Sequence, residues 1–130
     1  MILFDTDVCI ELLRGNKKII ARRNNYSGDI AICFMTVAEL YYGAEISTKA
    51  DENKNLIEKF FLTVQIIQTD NEILKRFGKL KARLKSNSDL LPDADIMIAA
   101  TSLVKAEKLI TGNVKHFSRF KELKIEDWAK

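Results

Sequence analysis

The chain has 130 residues, 47% of them hydrophobic and 30% charged, with a formal net charge of +3 at pH 7. That is the balance of one folded domain spanning residues 1–130, not of a disordered or fibrous chain. No apolar run reaches the roughly 18–20 residues that a bilayer-spanning helix needs. The start, Met1-Ile2-Leu3-Phe4-Asp5, meets an acid too early for a signal peptide, so the expectation is a cytoplasmic protein without membrane contact.

In chain order, residues 2–4 read as a short buried strand. Residues 8–14 read as a helix stopped by Gly15-Asn16, and 17–26 as a second helix closed by Ser27-Gly28. Residues 30–34, apolar and β-branched, read as a strand. Thr36 opens a helix to about Glu45. Residues 51–61 form another, with Leu56, Ile57, Phe60 and Phe61 at helical spacing. A third strand covers 64–67, and a basic helix 70–85 carries Ile73, Phe77, Leu80 and Leu84 on its apolar face. After a polar loop, 93–107 is a strongly apolar helix and 109–111 a strand. A short helix over 114–120 and an edge strand over 124–126 close the chain. Such alternation of strand and helix builds a parallel sheet, here four- to five-stranded, covered on both faces. Ligands in such folds bind beyond the carboxyl ends of the strands.

Cys9 and Cys33 sit in apolar runs and read as reduced core thiols. The single histidine, His116, has no second nitrogen or sulfur ligand at zinc-site spacing, so the sequence gives no ground to expect nitrogen- or sulfur-based metal chemistry. Between Asn71 and Asn87, six basic residues face one acid, Glu72. Such a strip is either a solvated helix face or a track for a phosphate backbone.

Three acids occupy the positions where chemistry is expected. Asp5 follows the first strand, Glu39 lies in the first turn after the second, and Asp95 lies in the first turn of the most apolar helix. Asn113 follows the last central strand in Thr111-Gly112-Asn113. Each has a structural explanation too: Thr36 and Glu39 match a capping box, and Asp5 and Asp93 suit helix N-caps. Gathered at one rim, however, the carboxylates repel, and without a cation one must protonate. All-oxygen ligation suits Mg²⁺ or Mn²⁺, and such an ion activates water against a phosphate ester. Asp95, on one stripe with Ile98, Ala99 and Ser102, is the preferred ligand. Asp93 is kept as a candidate that supports it from behind. The Thr6 and Thr111 hydroxyls either bond these carboxylates or serve ordinary turns.

Four stretches together resemble the PIN-domain family of VapC-type toxin ribonucleases. They are Phe4-Asp5-Thr6 with Leu13-Arg14-Gly15; Thr36-Val37-Ala38-Glu39-Leu40 with Gly43-Ala44; Asp95-Ile96-Met97-Ile98-Ala99-Ala100; and Leu109-Ile110-Thr111-Gly112-Asn113 with Phe117 and Trp128. The resemblance implies a three-layer α/β/α sandwich and a Mg²⁺- or Mn²⁺-dependent endoribonuclease, the toxin of a type II toxin–antitoxin pair. It implies a homodimer, and a VapB-type antitoxin whose C-terminal segment crosses the active-site groove. It assigns the metal to Asp5, Asp95 and Glu39, with Glu39 orienting or deprotonating the attacking water. Asn113 and Thr111 position ligands by hydrogen bonds, and Arg14, Lys75 and Lys79 guide the RNA. Two positions depart from the family pattern. Asn113 stands where a fourth acid is common, and His116, read as a surface residue, stands where an acid often precedes the phenylalanine. Leu12, Leu13, Ile19, Ile20, Leu40, Tyr41, Tyr42 and Ile46 are the candidates for docking surface, with core packing as the alternative. The first motif, Ile2-Leu3-Phe4-Asp5-Thr6-Asp7-Val8, also resembles haloacid-dehalogenase-type phosphatases, though the late lysine-plus-diacid arrangement is missing. A binding module without turnover is the non-enzymatic alternative.

Overall fold

Ile2, Leu3 and Phe4 form β1 (Ile2–Phe4) in the computed structural model, which describes residues 1–130. All three are fully buried, as a strand covered on both faces requires. β2 (Ile30–Cys33) and β4 (Lys108–Ile110) pair parallel to either side of it, aligning Phe4 with Ile32 and with Ile110. β3 (Gln65–Ile67) and β5 (Ile125–Glu126) extend the sheet to the order β3-β2-β1-β4-β5, every neighbouring pair parallel.

Successive strand residues face opposite sides, and this alternation sorts two cores. Leu3, Ala31, Cys33 and Leu109 pack with α5 (Asn71–Ser86), α6 (Asp93–Lys105), Phe117 and Phe120. Ile2, Phe4, Ile32 and Ile110 pack with residues of α1 (Thr6–Leu13), α2 (Lys17–Asn25), α3 (Phe34–Glu45), α4 (Ala50–Phe61) and Trp128. The Trp128 ring stands edge-on to Phe4 at 5.3 Å. The result is the α/β/α sandwich that the alternation implied. No helix is long and apolar enough to cross a membrane.

The boundaries differ from the sequence reading where caps decide them. α1 starts at Thr6 because the Asp5 side chain accepts the Val8 N–H. α3 starts at Phe34 because Cys33 caps it through Sγ, so Thr36 lies inside the helix and the expected Thr36/Glu39 capping box does not form. The helix expected over 114–120 is one turn, α7 (Val114–Phe117). Gly15, at φ +86°, ends α1 in the left-handed conformation that glycine adopts without strain. Asn16 then caps α2 by accepting from Lys18 and Ile19 N–H.

Leu3 has no exposed surface in the central strand. Leu3→Ala should therefore destabilise the protein by about 2–5 kcal/mol, read as a shift in the denaturant midpoint with an unchanged slope.

Candidate active site

The chain order of the strands turns at β1. It runs β1, β2, β3 towards one edge of the sheet and then returns to place β4 on the other side of β1. Helices leave in opposite senses at such a reversal, opening a crevice at the carboxyl ends. Asp5, one residue past β1, and Thr111, one residue past β4, sit at this point. The Asp5 N–H donates to the Ile110 carbonyl at 3.1 Å.

The Asp5 side chain is 2% exposed. Its Oδ1 accepts the Val8 N–H at 2.9 Å, and its Oδ2 accepts the Thr111 hydroxyl proton. The Thr111 hydroxyl in turn accepts the Asn113 N–H at 2.9 Å. Across the hollow, the Thr6 hydroxyl donates to Glu39 Oε1 at 2.6 Å and lies 3.0 Å from the Thr36 hydroxyl. The starts of α1 and α3 are thereby tied together. Asp95 Oδ2 lies 3.1 Å from His116 Nδ1, which lies 3.0 Å from Asn113 Nδ2.

Asp5, Asp7, Glu39 and Asp95 all line one hollow of about 240 Å³, together with Thr6, Ile10, Tyr42, Gly43, Ile98 and Phe117. No lysine or arginine lines it. Burial raises the Asp5 carboxyl from its ordinary 3.8 to about 7; the Thr111 and Val8 hydrogen bonds oppose the rise, and the charges of Asp7 and Asp95 add to it. No three acid, histidine or cysteine side chains converge closely enough to grip one ion directly. The donor set still fits a hard divalent cation: its oxygens are anionic, mutually repelling and free of competing lysine or arginine, and Mg²⁺ keeps several waters while using one or two carboxylates.

The chain and its fold are similar to those of known proteins. A family model described as the PIN domain matches residues 2–123. The chain belongs to the PIN-domain family. It is 32% identical over 128 residues to Ribonuclease VapC2 of Haemophilus influenzae, spanning 98% of this chain and 97% of that one. Among solved structures, VapBC2 from Rickettsia felis, bound to a DNA fragment from their promoter, superposes with a TM-score of 0.93 at 25% identity, covering 98% of this chain and 99% of that one. VapBC-1 from nontypeable Haemophilus influenzae gives 0.89 at 32% identity, covering 100% of both.

The PIN assignment replaces the phosphatase reading of Asp5. Both oxygens of that carboxylate are already engaged by the fold, which suits a held charge better than an attacking nucleophile. Of the residues picked from sequence, this PIN domain places Asp5, Thr6, Glu39 and Asp95 around one hollow, with Thr111 and Asn113 in a hydrogen-bonded chain that runs from Asp5 through His116 to Asp95, and Thr6 and Glu39 in a separate pair. Asp93 is not part of it: Pro92 is the N-cap of α6, and the Asp93 carboxylate points outward to Lys81 at 2.9 Å. Lys75 and Lys79 stand on the exposed face of α5 and do not line the hollow, and Lys75 is 3.8 Å from Glu72. Arg14 lines two neighbouring depressions, one with Glu39 and one with Asn113. Ile19 and Leu40 are core, whereas Leu13, Tyr42 and Ile46 are exposed. His116, read as a bystander, is the residue that sequence reasoning missed. Its signal was its place three residues after Asn113, on the same side of one helical turn.

The Asp5 shift has a thermodynamic consequence. A carboxyl raised from 3.8 to about 7 stabilises the fold below the lower value and loses that contribution as pH climbs through the upper one. Without divalent ions, the stability of the wild type relative to Asp5→Asn should fall between about pH 4 and pH 7, by on the order of 4 kcal/mol. Denaturant titrations of both proteins in a chelator at stepped pH measure the difference; a flat difference contradicts the buried-acid description.

Proposed function

We propose that this PIN domain is a Mg²⁺- or Mn²⁺-dependent endoribonuclease, the toxin of a type II toxin–antitoxin pair acting in the cytoplasm. The observation that carries the reading is the gathering of Asp5, Glu39 and Asp95 in one hollow with no lysine or arginine in its lining. The naming of a 32% identical relative as a ribonuclease supports the RNA substrate. The occurrence of its structural neighbours as VapBC complexes supports a VapB-type antitoxin as partner.

Asp5 and Asp95 would hold the ion. When bound, that ion supplies a Lewis acid for the phosphate and an acidified water. The chain's own groups do the rest. Glu39 keeps one oxygen on the Thr6 hydroxyl and turns the other towards the attacking water, orienting it and taking its proton. Thr111 fixes Asp5, so that carboxylate is placed before substrate arrives. Arg14, on the rim, contacts the RNA backbone. Lys75 and Lys79 act from a distance, through their charge on the approaching strand.

An apolar groove lined by Ile10, Leu13, Leu40, Gly43, Leu56 and Ile57 runs beside the hollow, and the two share Ile10, Glu39 and Gly43. A segment of the antitoxin lying in this groove would reach the acids and block the RNA path. The exposed Tyr42 and Ile46 beside it offer apolar area for that partner or for the second copy in a homodimer.

Asp5→Asn and Asp95→Asn should each reduce metal-dependent RNA cleavage by more than about 100-fold, since even groups that only support ligands cost 10–100-fold. A cooperative thermal transition in each variant, whatever its midpoint, separates this from misfolding. Undiminished cleavage by either variant sinks the assignment, and RNA that binds but is never cut by the wild type favours a binding module. Arg14→Ala should weaken RNA binding at every sequence and lower the salt slope of log affinity by about 1, measured by fluorescence anisotropy at several salt concentrations.

A further inference from the structure

Beside the acidic hollow lies a second recess of about 550 Å³, bordered by Asp7, Ile10, Glu11, Arg14, Gly112 and Asn113. The two share Asp7 and Ile10, so they adjoin along α1. The lining of the recess combines one aliphatic side chain with a polar edge. A Cβ at Gly112 would meet no atom within 4 Å, so that side is open to a flat ligand. Most of the polar groups are already committed. Glu11 accepts from Asn16 Nδ2 at 3.1 Å and lies 3.7 Å from Arg14, and Arg14 is the residue placed on the RNA backbone above. Asn113 gives Nδ2 to His116 and keeps Oδ1 as an acceptor. Asp7 is exposed, and its carboxylate meets no cation or donor of the chain. The recess therefore presents acceptors and suits a ligand rich in donors.

A nucleobase matches such a recess, with flat apolar faces for Ile10 and the Gly112 backbone and a polar edge for Asp7. Unpaired RNA bases are read on their Watson–Crick and Hoogsteen edges. An ionised carboxylate takes two parallel donors and offers none, and the bases differ in what they present to it. Guanine carries N1–H and N2–H side by side. Adenine and cytosine set one amino group beside a bare ring nitrogen, which a carboxylate repels. Uracil sets one N–H between two carbonyls. We infer that the recess reads a guanine next to the scissile phosphate, with the two oxygens of Asp7 accepting N1–H and N2–H. Because the recess and the hollow share Asp7 and Ile10, one nucleotide can place its base in the first and its phosphate in the second. The inference rests on the ribonuclease reading above and adds the base that it prefers.

The test gives the full chain, supplied with Mn²⁺, an RNA of random sequence and sequences the new ends. Guanine should be enriched at one fixed position beside the cut by about 5- to 150-fold, the range of one bidentate base contact. Asp7→Asn should lose that enrichment in favour of adenine, whose edge pairs with an amide. The ratio between bases does not depend on ion affinity or on the folded fraction, and a role of Asp7 in the α1 dipole alone would leave it unchanged. Separately, guanosine monophosphate titrated into ¹⁵N-labelled protein in a chelator should shift the Gly112 and Asn113 amide signals, and adenosine monophosphate should not. Even cleavage beside all bases, or an enrichment that survives Asp7→Asn, overturns the inference while the nuclease reading stands. Shifts with guanosine monophosphate but no base preference in cleavage make the recess a site for free guanine nucleotides and overturn it too. If no RNA is cut, the nuclease reading falls; guanine-selective amide shifts would then still uphold the recess, and equal or absent shifts would overturn it as well.

Discussion

A carboxylate with almost no exposed surface and no cation beside it is the constraint on which the rest of this structure depends. Asp5 has neutral donors only, one backbone N–H and one hydroxyl, and these do not offset the cost of burying a charge. Its raised pKa states that imbalance directly. The fold retains it because Asp5 also caps α1, so the same side chain starts a helix and supplies negative charge at the end of the central strand. Its neighbours then follow a pattern. Glu39 meets the Thr6 hydroxyl and Asp95 the His116 ring, and no lysine or arginine lines the hollow.

The sheet order explains why these groups meet at all. Asp5 and Thr111 are 106 positions apart, and the parallel pairing of β1 with β4 makes them neighbours one residue beyond the aligned Phe4 and Ile110. Glu39 comes from the helix after β2, on the opposite flank of β1, and the Thr6–Glu39 bond links that helix to α1. Both flanks of the central strand thus lean on the same two residues, Asp5 and Thr6. Trp128 backs the arrangement from behind by packing against Phe4. A loosened C-terminus would move the end of β1, and with it the acid.

The elements were legible in the sequence because β1 and β2 are continuously apolar and the longer helices carry periodic apolar faces. The acids were legible because a parallel sheet converts the position after a strand into a place in space. What escaped was set by local competition between caps. Thr36-Val37-Ala38-Glu39 has the spacing of a capping box, but Cys33 takes the cap and the helix begins two residues earlier. Thr36 and Glu39 are thereby released to meet Thr6. Asp93 has the composition of a cap, but Pro92 holds that position and Lys81, an α5 residue 12 positions earlier, claims the carboxylate. Two of the six basic residues of α5 are likewise spent on acids that only tertiary contact brings near: Lys81 on Asp93 and Arg83 on Glu122. Pairings of this kind carry no periodicity and leave no mark in composition.

His116 and Asn113 bear on how many charges crowd this end of the sheet. A site for a hard cation gains affinity from the number of carboxylates around it, but every added carboxylate also raises the cost of ionising one as buried as Asp5. An amide and an imidazole at the far side of the rim add no carboxylate to that repulsion. On this argument the two departures from the family pattern belong together: with a carboxylate at residue 113, the repulsion at Asp5 would grow, and with an aliphatic side chain at residue 116, Asp95 would lose the partner that fixes its direction. Tolerance of a buried acid and a fixed direction for Asp95 are then two results of one substitution pattern.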